Sequence, residues 1–400
     1  MCYPYQDILM STATTSPSKN PIGYLLELAQ VEVGDGDIII NSQKVMGYTG
    51  ATVYDVTTPS SSSSSSNNPP NSLFVKHIKI DPLKPTITGY KLARNIQSYK
   101  NDLHFLQTVG KTISSLDPSL NFPTLINSYV ADDDNEFVTV MASLNTTHES
   151  TIPQGTTHHK VIKDIIANLA TMHALTESAS FSKESLDELW DCGGHISHTL
   201  DKIPLLSIGY STFCNSFGFT EAAKLGDVFQ ARAMATAERV KTRKLHLVHG
   251  DAKLANFMFA KEYQGRASST FLDFQWTGKG VGASDLVYLI IMCCSDAEIE
   301  SVEQLKKYYY VTYTAKIVDN SMAYPWTEFV EDFDMSILDL ARWIFSYRFS
   351  AENPQTPGTF SERAAMNDPN VGSYQKSKIL IGWLIGEVVR ILEKESALVL

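Results

Sequence analysis

Up to about residue 142 the apolar positions recur mainly with a period of two, and beyond it mainly with the period of an α-helix. Ile38-Ile39-Ile40 and Lys44-Val45-Met46 read as strand, Gly47-Tyr48-Thr49-Gly50 as a turn, and Ala51 to Val56 as a second strand. Leu73 to Ile80 resumes in β-rich residues. The segment Thr88 to Val109 carries Leu92, Ile96, Tyr99, Leu103 and Leu106 at helical spacing. Leu125 to Val130 and Glu136 to Met141 are two more strands, joined by a solvated turn at Asp132-Asp133-Asp134-Asn135. Tyr24 to Val33 fits helix and strand equally. After Met141 the stripe Val161, Ile162, Ile165, Ile166, Leu169 and Met172 predicts a helix, as do Thr220 to Lys241, Leu286 to Cys294, Leu305 to Ile317, Phe333 to Phe349 and Lys378 to Glu395. The Pro- and Gly-bearing stretch Asn353 to Gly372 reads as a loop. Strands with one helix followed by a long helical tract predict an α+β chain, with a small N-terminal lobe over 21–142 whose sheet is antiparallel and a large, mainly helical lobe over 143–400.

Two stretches fall outside this pattern. Residues 1–20 are polar and expected to be flexible. Residues 57–72, with the run Ser60 to Ser66 and the pair Pro69-Pro70, cannot bury enough apolar surface to order themselves and are expected to form a disordered insert between two strands. A phosphorylated regulatory segment is the alternative reading of those serines.

Composition narrows the function. Hydrophobic residues make up 43% of the chain, enough for a large core, and 400 residues suit two lobes better than one. A net charge of −11 opposes a broad nucleic-acid surface. The cysteines Cys2, Cys192, Cys214, Cys293 and Cys294 are odd in number and lack a C-x-x-C pair, which fits reduced thiols in a cytoplasmic protein and offers no zinc site. No secretory signal is expected. The apolar stretches Leu286 to Cys294 and Ile379 to Leu392 are too short, or too interrupted by Glu387 and Arg390, to span a bilayer.

Candidate chemistry concentrates between Leu245 and Gln275. Leu245, Leu247 and Val248 form a short strand that delivers His249-Gly250-Asp251 onto a loop, Phe257-Met258-Phe259 leave it, and Phe271-Leu272 form a third strand ending at Asp273. Asp251, Asn256 and Asp273 then converge. Phosphoryl transfer needs held phosphates, metal ions that neutralise charge, and a carboxylate that orients the nucleophile. Asp251 suits the last task, Asn256 and Asp273 suit Mg²⁺, and Lys253 could lean toward the transferred phosphate. Lys76, a cation within an apolar strand, would hold the phosphates of ATP. If so, Asp102 is the acid on the following helix that can brace it. Gly47 and Gly50 let a backbone turn approach phosphate. His249 is expected to fix the loop, Asp285 to cap the next helix and brace the loop, and His173 to be structural; His158-His159 lack metal-ligand spacing.

His249-Gly250-Asp251 with Asn256, Asp273-Phe274-Gln275 and Asp285-Leu286 resemble the aminoglycoside phosphotransferase and choline kinase superfamily. With Leu169-Ala170-Thr171-Met172-His173-Ala174 they are most similar to its ecdysteroid-kinase-like branch. The resemblance covers roughly residues 40 to 300 and implies a protein-kinase-like two-lobed fold. It makes Asp251 the catalytic base, Asn256 and Asp273 the metal ligands, Lys76 the nucleotide lysine, and Val140 to Ser143, with Met141 among them, the hinge that meets adenine. Two departures stand out. Asp102 replaces the family's usual glutamate, so its brace on Lys76 is expected to be longer or water-mediated, and Ala142 and Ser143 replace an acidic hinge residue.

Eleven residues lie between Asp273 and Asp285 and no A-P-E follows, which leaves little room for a peptide platform. The expected acceptor is therefore a small molecule with a hydroxyl group, in a pocket to which Trp276, Trp326, Trp343, Tyr347 and Trp383 could contribute. A catalytically silent nucleotide-binding protein and a choline or ethanolamine kinase are the competing readings.

Overall fold

The computed structural model describes residues 21–33, 37–45, 51–59, 71–80, 89–177, 181–199, 202–243, 245–317, 324–350, 352–353, 355–365 and 371–397. The small lobe contains α1 (Pro21–Leu28), β1 (Ile39–Val45), β2 (Ala51–Thr57), β3 (Ser72–Lys79), α2 (Tyr90–His104), α3 (Gly110–Leu116), β4 (Leu125–Val130) and β5 (Glu136–Ala142). The five strands form one antiparallel sheet in the order β1-β2-β3-β5-β4. Its two faces are covered by different helices. Tyr54, Val56, Leu73, Val75, Val138 and Val140 pack under Ile22, Leu25 and Leu26 of α1, which resolves Tyr24 to Val33 as helix followed by turn. Each of those three α1 side chains contributes about 2 kcal/mol by burial. Ala51, Ile78 and Phe137, on the other face, meet Tyr99 of α2.

The large lobe adds β6 (His148–Glu149), α4 (His158–Glu177), α5 (Leu206–Ser216), α6 (Thr220–Ala223), α7 (Gly226–Thr242), β7 (His246–Val248), β8 (Phe257–Ala260), β9 (Ser269–Phe271), β10 (Gly278–Gly280), α8 (Gly282–Cys293), α9 (Asp296–Ile299), α10 (Val302–Thr314), α11 (Trp326–Trp343), α12 (Pro357–Ala364) and α13 (Lys378–Ala397). Its core is built on α4, α8, α10 and α11, whose apolar stripes meet around Ile165, Leu169, Leu286, Tyr309 and Ile337. Two small sheets, β6-β8-β9 and β7-β10, set the loops that bear the candidate chemistry on top of this core.

The small lobe with its antiparallel sheet and the helical large lobe give the two-lobed α+β architecture expected. Four details differ. The helix read over Thr88 to Val109 passes through a π-turn at Phe105–Val109 and continues as α3. The helix read over Thr220 to Lys241 is divided into α6 and α7. The loop read over Asn353 to Gly372 contains α12, with Thr356 as its capping residue and Pro357 opening the first turn. Thr57 and Ser72, the ends of the expected insert, pair with each other as the last step of the β2–β3 ladder. Residues 60–70 of that insert, the turn 46–50 with Gly47 and Gly50, and residues 1–20 lie outside the described residues.

Candidate active site

β7 is fully buried and ends at Val248, and His249 begins the candidate catalytic loop. Asp285 of α8 holds that loop by accepting from the backbone N–H of His249 at 2.6 Å and of Gly250 at 2.9 Å. It braces the loop as expected but does not cap its helix, whose capping position is Val281. Behind Asp285, buried His173 joins its Oδ2 at 3.1 Å to the Tyr309 hydroxyl at 2.7 Å. The His249 ring fixes the loop from the other side. Its Nε2 bonds to the Leu272 carbonyl at 3.0 Å, and its Nδ1 accepts from the Asp251 N–H at 3.3 Å. Gly250 has φ +81°, and a Cβ there would stand 2.3 Å from the Trp276 carbonyl oxygen. Only glycine fits.

These supports present Asp251, 6% exposed, with both carboxylate oxygens engaged. Oδ1 accepts from the Tyr288 hydroxyl at 2.7 Å, and Oδ2 from Lys253 Nζ at 2.9 Å and Asn256 Nδ2 at 3.0 Å. Burial works against its charge, but Lys253, His195 and the Tyr288 hydroxyl overcome this and hold the carboxyl below its ordinary range. Lys253 thus leans on Asp251 and not outward; burial lowers its affinity for a proton, and Asp251 more than restores it. Because the Asn256 amide nitrogen is turned to Asp251, its amide oxygen is directed away.

Asp273 is placed differently. Its strand, β9, stops at Phe271, and Asp273 follows in a left-handed bend with φ +63°. Its Oδ1 is buried and has no hydrogen-bond partner among the described residues. Burial, then the charges of Asp102 and Asp251, push its pKa up against the pull of Lys76. A cation would satisfy that orphaned oxygen. Among the described residues no three His, Cys, Asp or Glu side chains cluster as a metal cage. One carboxylate beside one amide oxygen is a hard, sparse donor set, which suits Mg²⁺ completed by phosphate and water.

Lys76 reaches this centre from β3. Its Nζ lies 2.8 Å from Asp102 Oδ2, so the brace is direct, contrary to the expectation for the shorter acid. The reason is that α2 sits close enough for the other oxygen, Oδ1, to accept from the Phe274 N–H at 2.9 Å. The adjacent Phe274 ring stacks on Phe105 at 3.7 Å between centroids. Burial disfavours the Lys76 charge, and Asp102 and Asp273 together reverse that and raise its pKa.

The hinge residues divide. The fully buried Val140 side chain points into the packing beneath α1, on the opposite sheet face from Lys76, and so has no side-chain access to the cleft. Met141 points the other way, into the core that joins the lobes. Ser143 donates to Asp55 Oδ1 at 2.6 Å. Of the expected pocket aromatics, Trp343 meets His195 edge-on at 5.2 Å and Tyr347 stacks beside Trp343 at 6.0 Å. Trp276 instead stacks on Trp190 and His198, Trp326 packs against Tyr310 and Phe329, and Trp383 lies against the main core.

The sequence reading missed a strap, Trp190 to His198. Its Gly193 and Gly194 N–H groups bond to the Lys279 and Trp276 carbonyls at 2.8 and 2.9 Å, and its His195 N–H to the Gly250 carbonyl at 3.1 Å. His195 also meets Tyr288 at 5.1 Å, and burial lowers its pKa to about 4, so the ring is neutral at physiological pH. Tyr288 and Arg348 were missed too. Tyr288 stands one helical turn after Asp285, a spacing that places both on one face of α8. Arg348 ends the π-turn that extends α11, lies 5.2 Å over the Trp343 ring and adds positive charge to the surroundings of His195, Lys253 and Tyr288.

Residues 162–318 match the model of the ecdysteroid kinase-like family. That segment contains the loop 249–256, Asp273 and Asp285, the motifs on which the resemblance was read. No curated protein matches the chain. Among solved structures, it is similar to a microcompartment-associated aminopropanol kinase (14% identity, 94% of this chain and 98% of that one, TM-score 0.45) and to an ethanolamine kinase of Plasmodium vivax (11%, 88% and 83%, 0.41). It is also similar to an aminoglycoside phosphotransferase of Streptomyces rimosus in complex with ADP and streptomycin (10%, 75% and 92%, 0.37). Among the described residues no helix is long and apolar enough to cross a membrane.

Proposed function

We propose that this chain is an ATP- and Mg²⁺-dependent phosphotransferase acting on a hydroxyl group of a small molecule. The observation that carries the reading is the meeting of a fully hydrogen-bonded Asp251 with the orphaned Oδ1 of Asp273, beside Asn256 and the Lys76–Asp102 pair. Lys76 binds the phosphates of the nucleotide and keeps its charge because Asp102 and Asp273 face it. Asp251 orients the acceptor hydroxyl and accepts its proton as the oxygen attacks, while Lys253 stabilises the negative charge gathered there. Tyr288 and Asn256 hold the Asp251 carboxylate in one orientation. Asn256 and Asp273 would hold Mg²⁺, which when bound neutralises phosphate charge. Neutral His195, Trp343 and the Arg348 guanidinium line the side from which an acceptor would approach. Two cations near Asp251 oppose a quaternary ammonium and favour an uncharged or anionic alcohol over choline or ethanolamine.

The silent alternative rests on a shortened Asp102 and a hinge without an acidic residue; the first of these reaches Lys76 directly. The test is Asp251→Ala on a metabolite panel with ATP and Mg²⁺. Loss of about 10³-fold in kcat on any confirmed substrate is expected, and wild-type turnover in the variant would sink the assignment.

A further inference from the structure

We infer that Asn101 is a positioning residue for Asp273, and that α2 thereby sets metal affinity in addition to holding Lys76. This rests on the reading of Asp273 as a metal ligand. Asn101 is fully buried, and its amide is bonded to main chain on every side that the geometry shows. Its Nδ2 donates to the Phe274 carbonyl at 2.7 Å and to the Thr277 carbonyl at 2.8 Å, and its Oδ1 accepts from the Trp190 N–H at 2.8 Å. One side chain therefore ties the start and end of the turn 274–277 to the strap. Its neighbour Asp102 accepts from the Phe274 N–H, so both main-chain polar groups of Phe274 are held by two consecutive residues of α2.

The consequence falls on the residue before Phe274. Asp273 has φ +63°, a left-handed conformation that a non-glycine residue keeps only where its surroundings impose it. Swinging the peptide after Asp273 would break the Asp102 bond to the Phe274 N–H, and the Asn101 bond to the Phe274 carbonyl fixes the next peptide, against which that swing would have to be taken up. The strap adds a further hold on the same turn, since Trp190 Nε1 donates to the Gln275 carbonyl at 2.7 Å and the Gly194 N–H to the Trp276 carbonyl at 2.9 Å. The short acid at 102 is part of the same device, because it lets α2 stand near enough for the Asn101 amide to reach past Phe274 to Thr277. Lys76 does not touch this clamp except through Asp102, so metal binding and phosphate binding should respond separately to a change at 101.

The experiment is thermal unfolding of Asn101→Ala with two titrations, ADP in EDTA and Mg²⁺ at fixed ADP. Expected are an unchanged ADP midpoint without metal and a Mg²⁺ midpoint raised about tenfold, the scale at which groups that orient a metal ligand act. A Mg²⁺ midpoint equal to wild type, or an equal weakening of both titrations as a merely structural role would give, overturns the inference. Should Asn101→Ala fail to unfold cooperatively, Trp190→Phe, which removes the indole bond to Gln275 and trims the ring that packs on Trp276 and His198, carries the same test. Its expected rise in the Mg²⁺ midpoint is about threefold, and no rise overturns the inference. Asp273→Ala run alongside separates the two claims. If it keeps the wild-type Mg²⁺ response, the metal-ligand reading itself fails; if it loses that response while Asn101→Ala and Trp190→Phe keep it, only the positioning role fails.

Discussion

Asp251 and Asp273 are carboxylates of one site, yet their surroundings have opposite effects. Around Asp251 the loop, α8 and Lys253 supply donors to both oxygens, and the carboxyl stays below its usual range in spite of burial. Around Asp273 one oxygen is buried without a donor, and burial with two neighbouring acids pushes the carboxyl up. Protein groups alone complete the first centre. The second leaves an oxygen for a positive charge from outside, and under the proposed function this is the physical distinction between a base and a metal ligand.

That contrast breaks most visibly at Asp273→Asn. Wild-type stability without metal should fall as pH rises from the ordinary carboxylate range through the raised Asp273 value, because over that window the folded state holds a proton that the unfolded state has released. The asparagine variant lacks this loss and should melt higher than wild type at pH 7 in EDTA. It should also lose the stabilisation of about 2.7 kcal/mol that MgATP at a hundredfold its Kd gives wild type. Differential scanning calorimetry checks both signs. A smaller effect is expected at Tyr288→Phe, which leaves Asp251 Oδ1 without its donor. A hydrogen bond to a charged group is worth about 1.5–3 kcal/mol, so kcat should fall roughly tenfold with KM for ATP unchanged; a KM change alone would put Tyr288 outside the chemistry. The smallest effect is expected at His195. Its folded pKa of about 4 lies below the ordinary histidine value, so its contribution to stability is complete above pH 6.5 and is lost as pH falls toward 4. The ring NMR titration should have its midpoint near pH 4, and His195→Gln should flatten the pH dependence of the melting temperature between pH 4 and 6.5.

Legibility in the sequence followed the physics of each residue. Asp251, Asn256 and Asp273 stand within one short stretch of loops and strands, and Lys76 is a charge among apolar neighbours, so each was visible from local pattern. Asp102 was visible by elimination on its helix. Its direct reach to Lys76 was not, because that depends on how closely α2 approaches. The face that the Val140 side chain takes was not legible, because β5 is buried on both faces from Glu136 to Met141, which removes the alternation that would have told one face from the other. Asn101 and the strap were invisible because their partners are main-chain groups distant in sequence, and main-chain carbonyls leave no composition signal. The helix Pro357–Ala364 did have a signal, the Thr356-Pro357 start, but Pro and Gly there were read as breakers.

The packing of α1 under Val138 and Val140 has a consequence for how the chain is made. A helix of eight residues is marginal by itself in water, and the sheet face that it covers is incomplete until β5 has been added between β3 and β4. During synthesis the small lobe therefore cannot close before Ala142 has left the ribosome. Its sheet and α1 can then pair before residues 249–256 exist, while Phe105, Val109, Ile113 and Met141 wait for the large-lobe core that they join. The clamp of Asn101 and Asp102 on Phe274 must wait for a partner more than 170 residues further along the chain.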